Sequence, residues 1–248
     1  MLAFDTRARR WDKRSAKILA LPADIVGPST AADWNGPSPS VLNIHARETL
    51  AKALDPLGRR LAGAGVTPNA ITVVGTVGSV TAALVFFPMG WWFVGSVIIW
   101  AFVMFDMVDG AVARAGGSVS PFGGVLDSTC DRIADAAIFG AAGWYFARHD
   151  ERWLLLAALL CLVLGSVTSY IRARAEAAGF NATVGIAERA ERLIVALVGT
   201  GLNGLGVPYI LAIALWLLVA ASTITVAQRF VTVYQQSRSL RAEQQVVR

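Results

Sequence analysis

From about residue 69 onward the chain is a succession of apolar runs, each near twenty residues long and separated by short polar or glycine-rich turns. A helix needs ~20 such residues to cross a bilayer. The pattern predicts helices over 69–88, 91–112, 122–147, 153–175, 189–207 and 209–230. Trp91 and Trp92 are expected to anchor the second at the membrane interface. Gly199, Gly201, Gly204 and Gly206 blur the end of the fifth. Ahead of these runs, NIHARETLAKALDPLGRRLAG (43–63) spaces Ile44, Leu50, Leu54 and Leu57 at helical intervals among charges. That pattern predicts an amphipathic juxtamembrane helix on the cytoplasmic face. The expected fold class is all-α: a polytopic membrane protein with six transmembrane helices plus this N-terminal amphipathic helix.

Residues 1–42 differ in character. Arg7, Arg9, Arg10, Lys13, Arg14 and Lys17 interleave with Trp11, Ile18, Leu19 and Leu21, and the linker-like GPSTAADWNGPSPS follows. A basic amphipathic helix lying on the membrane and a plain polar tail are equal readings of this stretch. It lacks the continuous apolar core of a cleavable signal peptide, so insertion is expected to rest on the internal spans. The chain then divides into a basic extension and linker (1–42), a membrane domain (43–236) and a cytoplasmic tail (237–248).

Composition agrees with a membrane setting. Of 248 residues, 55% are hydrophobic and only 16% charged, and the mean hydropathy is +0.55. The formal charge of +5 and pI near 9.7 do not point to nucleic acid, because the charges flank apolar spans. They suit an anionic inner leaflet and anionic substrates. Most Arg and Lys fall in the N-terminal segment, the 113–120 and 173–190 loops and the tail after Gln228, whereas FFPMG and GTGLNGLG are uncharged and RHDER is mixed. The positive-inside tendency therefore places both termini, and the polar motif described next, on the cytoplasmic side of the cell membrane. Cys130 and Cys161 lie in apolar runs and read as small packing residues. Gly75-x2-Gly78 and Gly140-Ala-Ala-Gly143 read as sites of close helix packing.

Four carboxylates, Asp106, Asp109, Asp127 and Asp131, sit in and beside the second and third runs. An ionisable group at membrane depth normally lines a polar cavity or binds something that neutralises it. The members of each pair are three and four residues apart, so each pair shares a helix face. Gly110, Gly116, Gly117 and Pro121 supply turn chemistry between the pairs, which brings both together near one membrane surface. Converging acids with oxygen donors suit Mg²⁺, Mn²⁺ or Ca²⁺ better than zinc. The competing reading, structural pairing with Arg114 and Arg132, leaves excess negative charge in an apolar setting. A cation transporter would use the acids but has no need of Arg114 or the glycines. His45 and His149 read as surface residues, and no Ser–His or Cys–His pair is evident, which favours direct transfer over a covalent intermediate.

The order Asp106-x2-Asp109-Gly110-x2-Ala113-Arg114-x8-Gly123-x3-Asp127-x3-Asp131 resembles the signature of the CDP-alcohol phosphotransferases at every fixed position. The resemblance implies a six-helix membrane fold, usually a homodimer. It also implies transfer of a phosphatidyl group from a CDP-linked lipid to an alcohol, with release of CMP. Asp106, Asp109, Asp127 and Asp131 would hold two metal ions, Mg²⁺ or Mn²⁺, with Asp131 also the general base. Asp106, Gly110, Ala113, Arg114 and Gly123 would bind the CDP-lipid.

A second cluster, Arg172, Arg174, Arg189, Arg192 and Arg229, lies toward the same side as the acids. Singly these are ordinary snorkelling anchors; together they match a phosphate on the acceptor. Serine, choline or ethanolamine would need no such cluster. FPMG, FDMVDGA, LDSTCDRIADA, SYIRARAEAAG, ERAERL and AQR resemble the phosphatidylinositol phosphate synthases of inositol-using bacteria over about residues 42–236. This implies CDP-diacylglycerol and inositol 1-phosphate as substrates, within membrane lipid and without nucleic acid. Arg172, Arg192 and Arg229 would form a basic triad around the acceptor phosphate, with Arg189 close by. Arg172 departs from the usual Lys. Glycerol 3-phosphate, the acceptor of phosphatidylglycerophosphate synthase, is the alternative.

Orientation is directly testable. Cysteines placed at 118 or 180 are expected to escape membrane-impermeant thiol reagents in sealed cells, and those at 88 or 204 to react. External labelling at 118 would overturn the orientation.

Overall fold

The computed structural model describes residues 63–116 and 120–246, with Pro56, Arg60 and Leu61 ahead of them. The side chains of 106–111, 113–116 and 241–246 lie outside the described residues. So do the basic extension and nearly all of the expected amphipathic helix at 43–63.

Six α-helices are described, and no strand: α1 (Pro68–Phe86), α2 (Trp92–Gly116), α3 (Pro121–Arg148), α4 (Arg152–Ala177), α5 (Arg189–Gly204) and α6 (Ile210–Val246). They fall on the six apolar runs. Local signals set several of their ends. Thr67 caps α1 by accepting from the Ala70 N–H at 3.3 Å, with Pro68 as the first helical residue. The turn after α1 closes at Gly90, whose φ of +76° suits a residue without Cβ. Two ends differ from expectation. α2 runs on to Gly116, carrying Asp106, Asp109 and Arg114 within its last turns, because AVARA is good helix-forming sequence. α6 continues sixteen residues past 230, because VTVYQQSRSLRAEQQV contains neither Gly nor Pro.

Three helical stretches, Pro68–Phe86, Arg152–Ala177 and Ile210–Leu240, are long and apolar enough to cross a membrane, and Trp92–Phe105 is a shorter apolar stretch. Much of their apolar surface faces outward. Val73, Val77, Leu84, Trp100, Leu159, Val163, Ile213 and Leu217 are all exposed. A continuous apolar exterior of this kind fits lipid as the surrounding solvent.

The helices pack in a closed ring. α1 lies against α2, α2 against α5, α5 against α6, α6 against α4, α4 against α3, and α3 back against α1. α3 and α5 therefore stand on opposite sides. The interior is built from small residues and a few large ones: Ala82, Ala83, Ala137, Ala141, Ala142, Ala157, Ala158 and Ala196, with Phe87, Ile99, Phe146 and Leu215. Cys161 is buried among them, and Cys130 is buried on α3. One polar tie crosses the core, a 2.6 Å hydrogen bond between the hydroxyls of Ser96 on α2 and Thr200 on α5.

Trp92 corrects an expectation. Trp91 is exposed, but Trp92 is only 5% exposed and packs with Phe87, Tyr145 and Phe146. At the start of α2 its face turns into the ring, where aromatic neighbours outcompete the interface. His149, by contrast, sits exposed at the end of α3, its ring stacked on Tyr145.

Close approach makes glycine necessary at 204, where a Cβ would run into the backbone of Phe93. Gly204→Ala is expected to destabilise by about 1–3 kcal/mol, since a backbone neighbour cannot rotate away. Gly140→Ala, with nothing within 4 Å, is expected to be neutral or up to about 1 kcal/mol stabilising. Thermal unfolding of the purified variants in detergent checks the order, and equal midpoints would contradict the packing. The outward labelling cysteine accordingly belongs at Leu205, which is exposed, rather than at 204.

Candidate active site

Ser120 fixes the start of α3: its hydroxyl accepts the Gly123 N–H at 3.0 Å and Pro121 follows as the first helical residue. With that end set, Asp127, Asp131 and Asp135 follow at four-residue intervals along one face of α3. A Cβ on Gly123 would lie 3.2 Å from Ser120 Oγ and 3.4 Å from Asn69 Oδ1 on α1. The missing side chain thus lets α1 approach the head of α3. Because Ser120 already takes its N–H, Gly123 serves by its small size.

Across the ring, α5 begins with Arg189 and carries Arg192 one turn later. Cations in a first turn oppose the helix dipole; Glu191 shares that turn, and further carboxylates come from α3. Arg189 Nη1 contacts Asp131 Oδ1 at 2.9 Å, and its Nε lies 3.6 Å from Asp135 Oδ1. Arg192 Nη2 donates to Asp135 Oδ2 at 3.2 Å. Arg132 Nη1 reaches the same Oδ2 at 3.2 Å and also donates to the Gly165 carbonyl on α4 at 3.1 Å. Arg132 thus pairs with Asp135, one turn along its own helix. Arg192 is 2% exposed and Asp135 4%. Three guanidinium groups meet two carboxylates here.

The remaining cluster members have other tasks. Arg229 on α6, 3% exposed, donates through Nε to the Val184 carbonyl at 2.8 Å and through Nη1 to the Thr168 carbonyl at 2.7 Å. Its Nη2 lies 3.8 Å from Glu188, the residue just before α5. It therefore holds the loop between α4 and α5 against both α4 and α6. Arg172 pairs along its own helix with Glu176 at 2.8 Å. Of the expected phosphate set, the structure brings Arg189 and Arg192 together beside Asp131. Arg229 braces the loop that leads into them, and Arg172 stays with Glu176.

The side chains of Asp106, Asp109, Gly110, Ala113 and Arg114 lie outside the described residues, although α2 carries all five. Among the described residues no three His, Cys, Asp or Glu side chains converge. The described half of the acidic set does fit a hard divalent cation. Asp127 and Asp131 are partly buried oxygen donors one turn apart on a single rigid helix.

Asp135 was not singled out by sequence reasoning. Its signal was present: Asp127, Asp131 and Asp135 continue a four-residue spacing into an apolar run, one acid further than the motif.

Comparison with known proteins decides the family. The model of the CDP-alcohol phosphatidyltransferases matches residues 65–227. This chain belongs to that family. The phosphatidylinositol phosphate synthase of Mycobacterium marinum is 48% identical over 193 residues, covering 76% of this chain and 82% of that one. The crystal structure of Mycobacterium tuberculosis phosphatidylinositol phosphate synthase with CDP-DAG bound superimposes with a TM-score of 0.71 at 46% identity, covering 74% of this chain and 94% of that one. The same enzyme in complex with manganese and citrate gives 0.70 at 47% identity, covering 73% and 88%. Within this transferase, the family match takes in Asp106 to Asp131 and Arg172 to Arg192, and ends two residues before Arg229.

Arg229→Gln is expected to lower the unfolding midpoint, because a shorter neutral amide cannot reach both carbonyls. Each buried group left without its partner costs about 1–3 kcal/mol. Hydrogen exchange of residues 178–188 should speed up in parallel. An unchanged midpoint with unchanged exchange would show that the loop is held by other contacts.

Proposed function

We propose that this chain is a phosphatidylinositol phosphate synthase. It transfers the phosphatidyl group of CDP-diacylglycerol to inositol 1-phosphate in the membrane, giving phosphatidylinositol phosphate and CMP. The observation that carries this reading is the 2.9 Å contact between Arg189 and Asp131. It joins the basic cluster directly to the acidic motif, as an acceptor bearing a phosphate requires. The near-half identity to synthases of that name over most of both chains supports the same acceptor.

In this reading all six helices cross the membrane, and the site opens to the cytoplasm, where the soluble acceptor enters and CMP leaves. Asp106, Asp109, Asp127 and Asp131 hold the metal, two ions of Mg²⁺ or Mn²⁺, and the manganese complex of the mycobacterial relative supports a divalent cation. When bound, the metal neutralises the pyrophosphate and polarises the phosphorus under attack. Gly110, Ala113, Arg114 and Gly123, with Asp106, bind the cytidine end. Arg189 and Arg192 attract the acceptor phosphate, with Arg229 and Arg172 completing the basic side. Asp131 accepts the proton of the attacking hydroxyl. The active form is a homodimer.

An acceptor panel tests the reading. With CDP-diacylglycerol and Mg²⁺ or Mn²⁺, inositol 1-phosphate is expected to release CMP, while free inositol is expected to be poor. Asp131→Asn should nearly abolish turnover yet leave CDP-lipid binding measurable, because a carboxamide cannot take the proton. Reaction of glycerol 3-phosphate but not inositol 1-phosphate would favour a phosphatidylglycerophosphate synthase instead.

A further inference from the structure

Asp135 lies outside the family signature, yet it is the most heavily engaged carboxylate among the described residues. It stands one helical turn beyond Asp131 in the middle of the ring. Three arginines from two helices reach it: Arg132 and Arg192 at 3.2 Å on Oδ2, and Arg189 at 3.6 Å on Oδ1. A second observation concerns α4. A Cβ on Gly165 would lie 3.2 Å from Arg192 Nε and 3.3 Å from Arg192 Cζ and Nη2. The guanidinium of Arg192 thus lies flat against a helix surface from which the side chain has been removed. Asp135 grips one edge of that guanidinium, and Nη1 points back to the Ala187 carbonyl at 3.4 Å.

This seat has a cost that packing alone does not justify. A guanidinium buried to this degree loses several kcal/mol of hydration unless a carboxylate and hydrogen bonds replace the water. An apolar side chain would fill the same space without that penalty. The arrangement makes sense where the charge has work to do beside Asp131. Arg189 and Arg192 each keep a buried Nε without a hydrogen bond among the described residues.

We infer that Asp135 is the positioning residue of the acceptor half of the site. It touches neither substrate, but it orients Arg192 against Gly165 and, by the longer contact, steadies Arg189 between Asp131 and the incoming phosphate. The inference rests on the reading that these two arginines bind the phosphate of inositol 1-phosphate. It predicts that losing the Asp135 charge damages acceptor binding selectively, because the CDP-lipid residues lie on α2 and at the head of α3.

The test uses the full-length protein in detergent or proteoliposomes, with CMP release followed against each substrate in turn. Asp135→Asn is expected to raise the KM for inositol 1-phosphate roughly tenfold or more, the scale of one lost charge-assisted contact. The KM for CDP-diacylglycerol should stay within about twofold, since the side chains that reach Asp135 among the described residues, Arg132, Arg189 and Arg192, are not in the CDP-lipid set. Asp135→Glu should recover part of the loss, because the charge returns on a longer stem. Added to Arg192→Gln, Asp135→Asn should raise the acceptor KM little further, as expected of residues acting through one another. Should Asp135→Asn not yield folded protein, Gly165→Ala crowds the same guanidinium and carries the same expectation of a selective rise. An unchanged acceptor KM in either folded variant overturns the inference. So does an equal rise for both substrates, or full additivity with Arg192→Gln, each of which describes a merely structural carboxylate. A parent enzyme that ignores inositol 1-phosphate overturns the underlying reading as well, before any variant is compared.

Discussion

Charge balance across the centre of the ring is the constraint on which the rest of the molecule hangs. α3 and α5 do not pack closely against each other; what joins them is the contact of Arg189 and Arg192 with Asp131 and Asp135. Arg192 and Asp135, both buried, are each intolerable alone, whereas Arg189 and Asp131 keep some exposure. Removing one member of a buried ion pair typically costs about 3–5 kcal/mol, because the other is left charged without water. The pairs therefore fix the relative height of two helices that reach each other only through side chains. They do so beside the catalytic motif, where an error of an ångström matters most.

Around this polar centre the fold is economical. A core rich in alanine lets helices approach closely without a strong hydrophobic drive between them, which lipid does not supply. Gly78 fits the ring of Phe102 on α2, and Gly204 fits the backbone of Phe93. The Ser96–Thr200 hydrogen bond ties α2 to α5, so the helix that carries Asp106 and Asp109 is fastened to the helix that carries Arg189 and Arg192. The two halves of the site are thus mounted on neighbouring and opposing staves of one closed ring. Arg229 adds a brace from α6 to the loop entering α5. Mutations that loosen the brace are then felt at the first turn of α5, where the arginines stand.

The helices were legible because twenty-residue apolar runs leave few alternatives; Thr67 and Ser120, which cap α1 and α3, were not singled out in the sequence. The pairing of Asp127 with Asp131 was legible from a four-residue interval. What escaped was set by partners distant in sequence. Nothing near Trp92 says that Phe87 and Phe146 will claim it from the interface. Nothing near Arg229 says that Val184 and Thr168 will present carbonyls to it. Asp135 is the instructive case: the spacing was visible, but its importance depends on two arginines more than fifty residues away. The continuation of α6 past 230 was missed as well: there Gln236 exchanges two hydrogen bonds with the backbone of Asn181, fifty-five residues away.

The chemistry of the guanidinium explains why this cluster is built from arginine. Arg192 must satisfy a buried carboxylate, reach a backbone carbonyl and lie flat against Gly165, and it does so with Nη2, Nη1 and its planar face. Five donors in a fixed fork permit that division and leave Nε over. A lysine ammonium offers three donors at a single point and could not span Asp135 and Ala187 in this geometry. Arg189 is stretched in the same way, with Nη1 on Asp131 and Nε facing Asp135. On the proposed function, such a fork would take the acceptor phosphate at its free edge without releasing either acid. Asp127, Asp131 and Asp135 then differ in role by their distance along one helix. The first is partly buried toward the start of α3, the last is buried among cations, and Asp131 between them is held by Arg189.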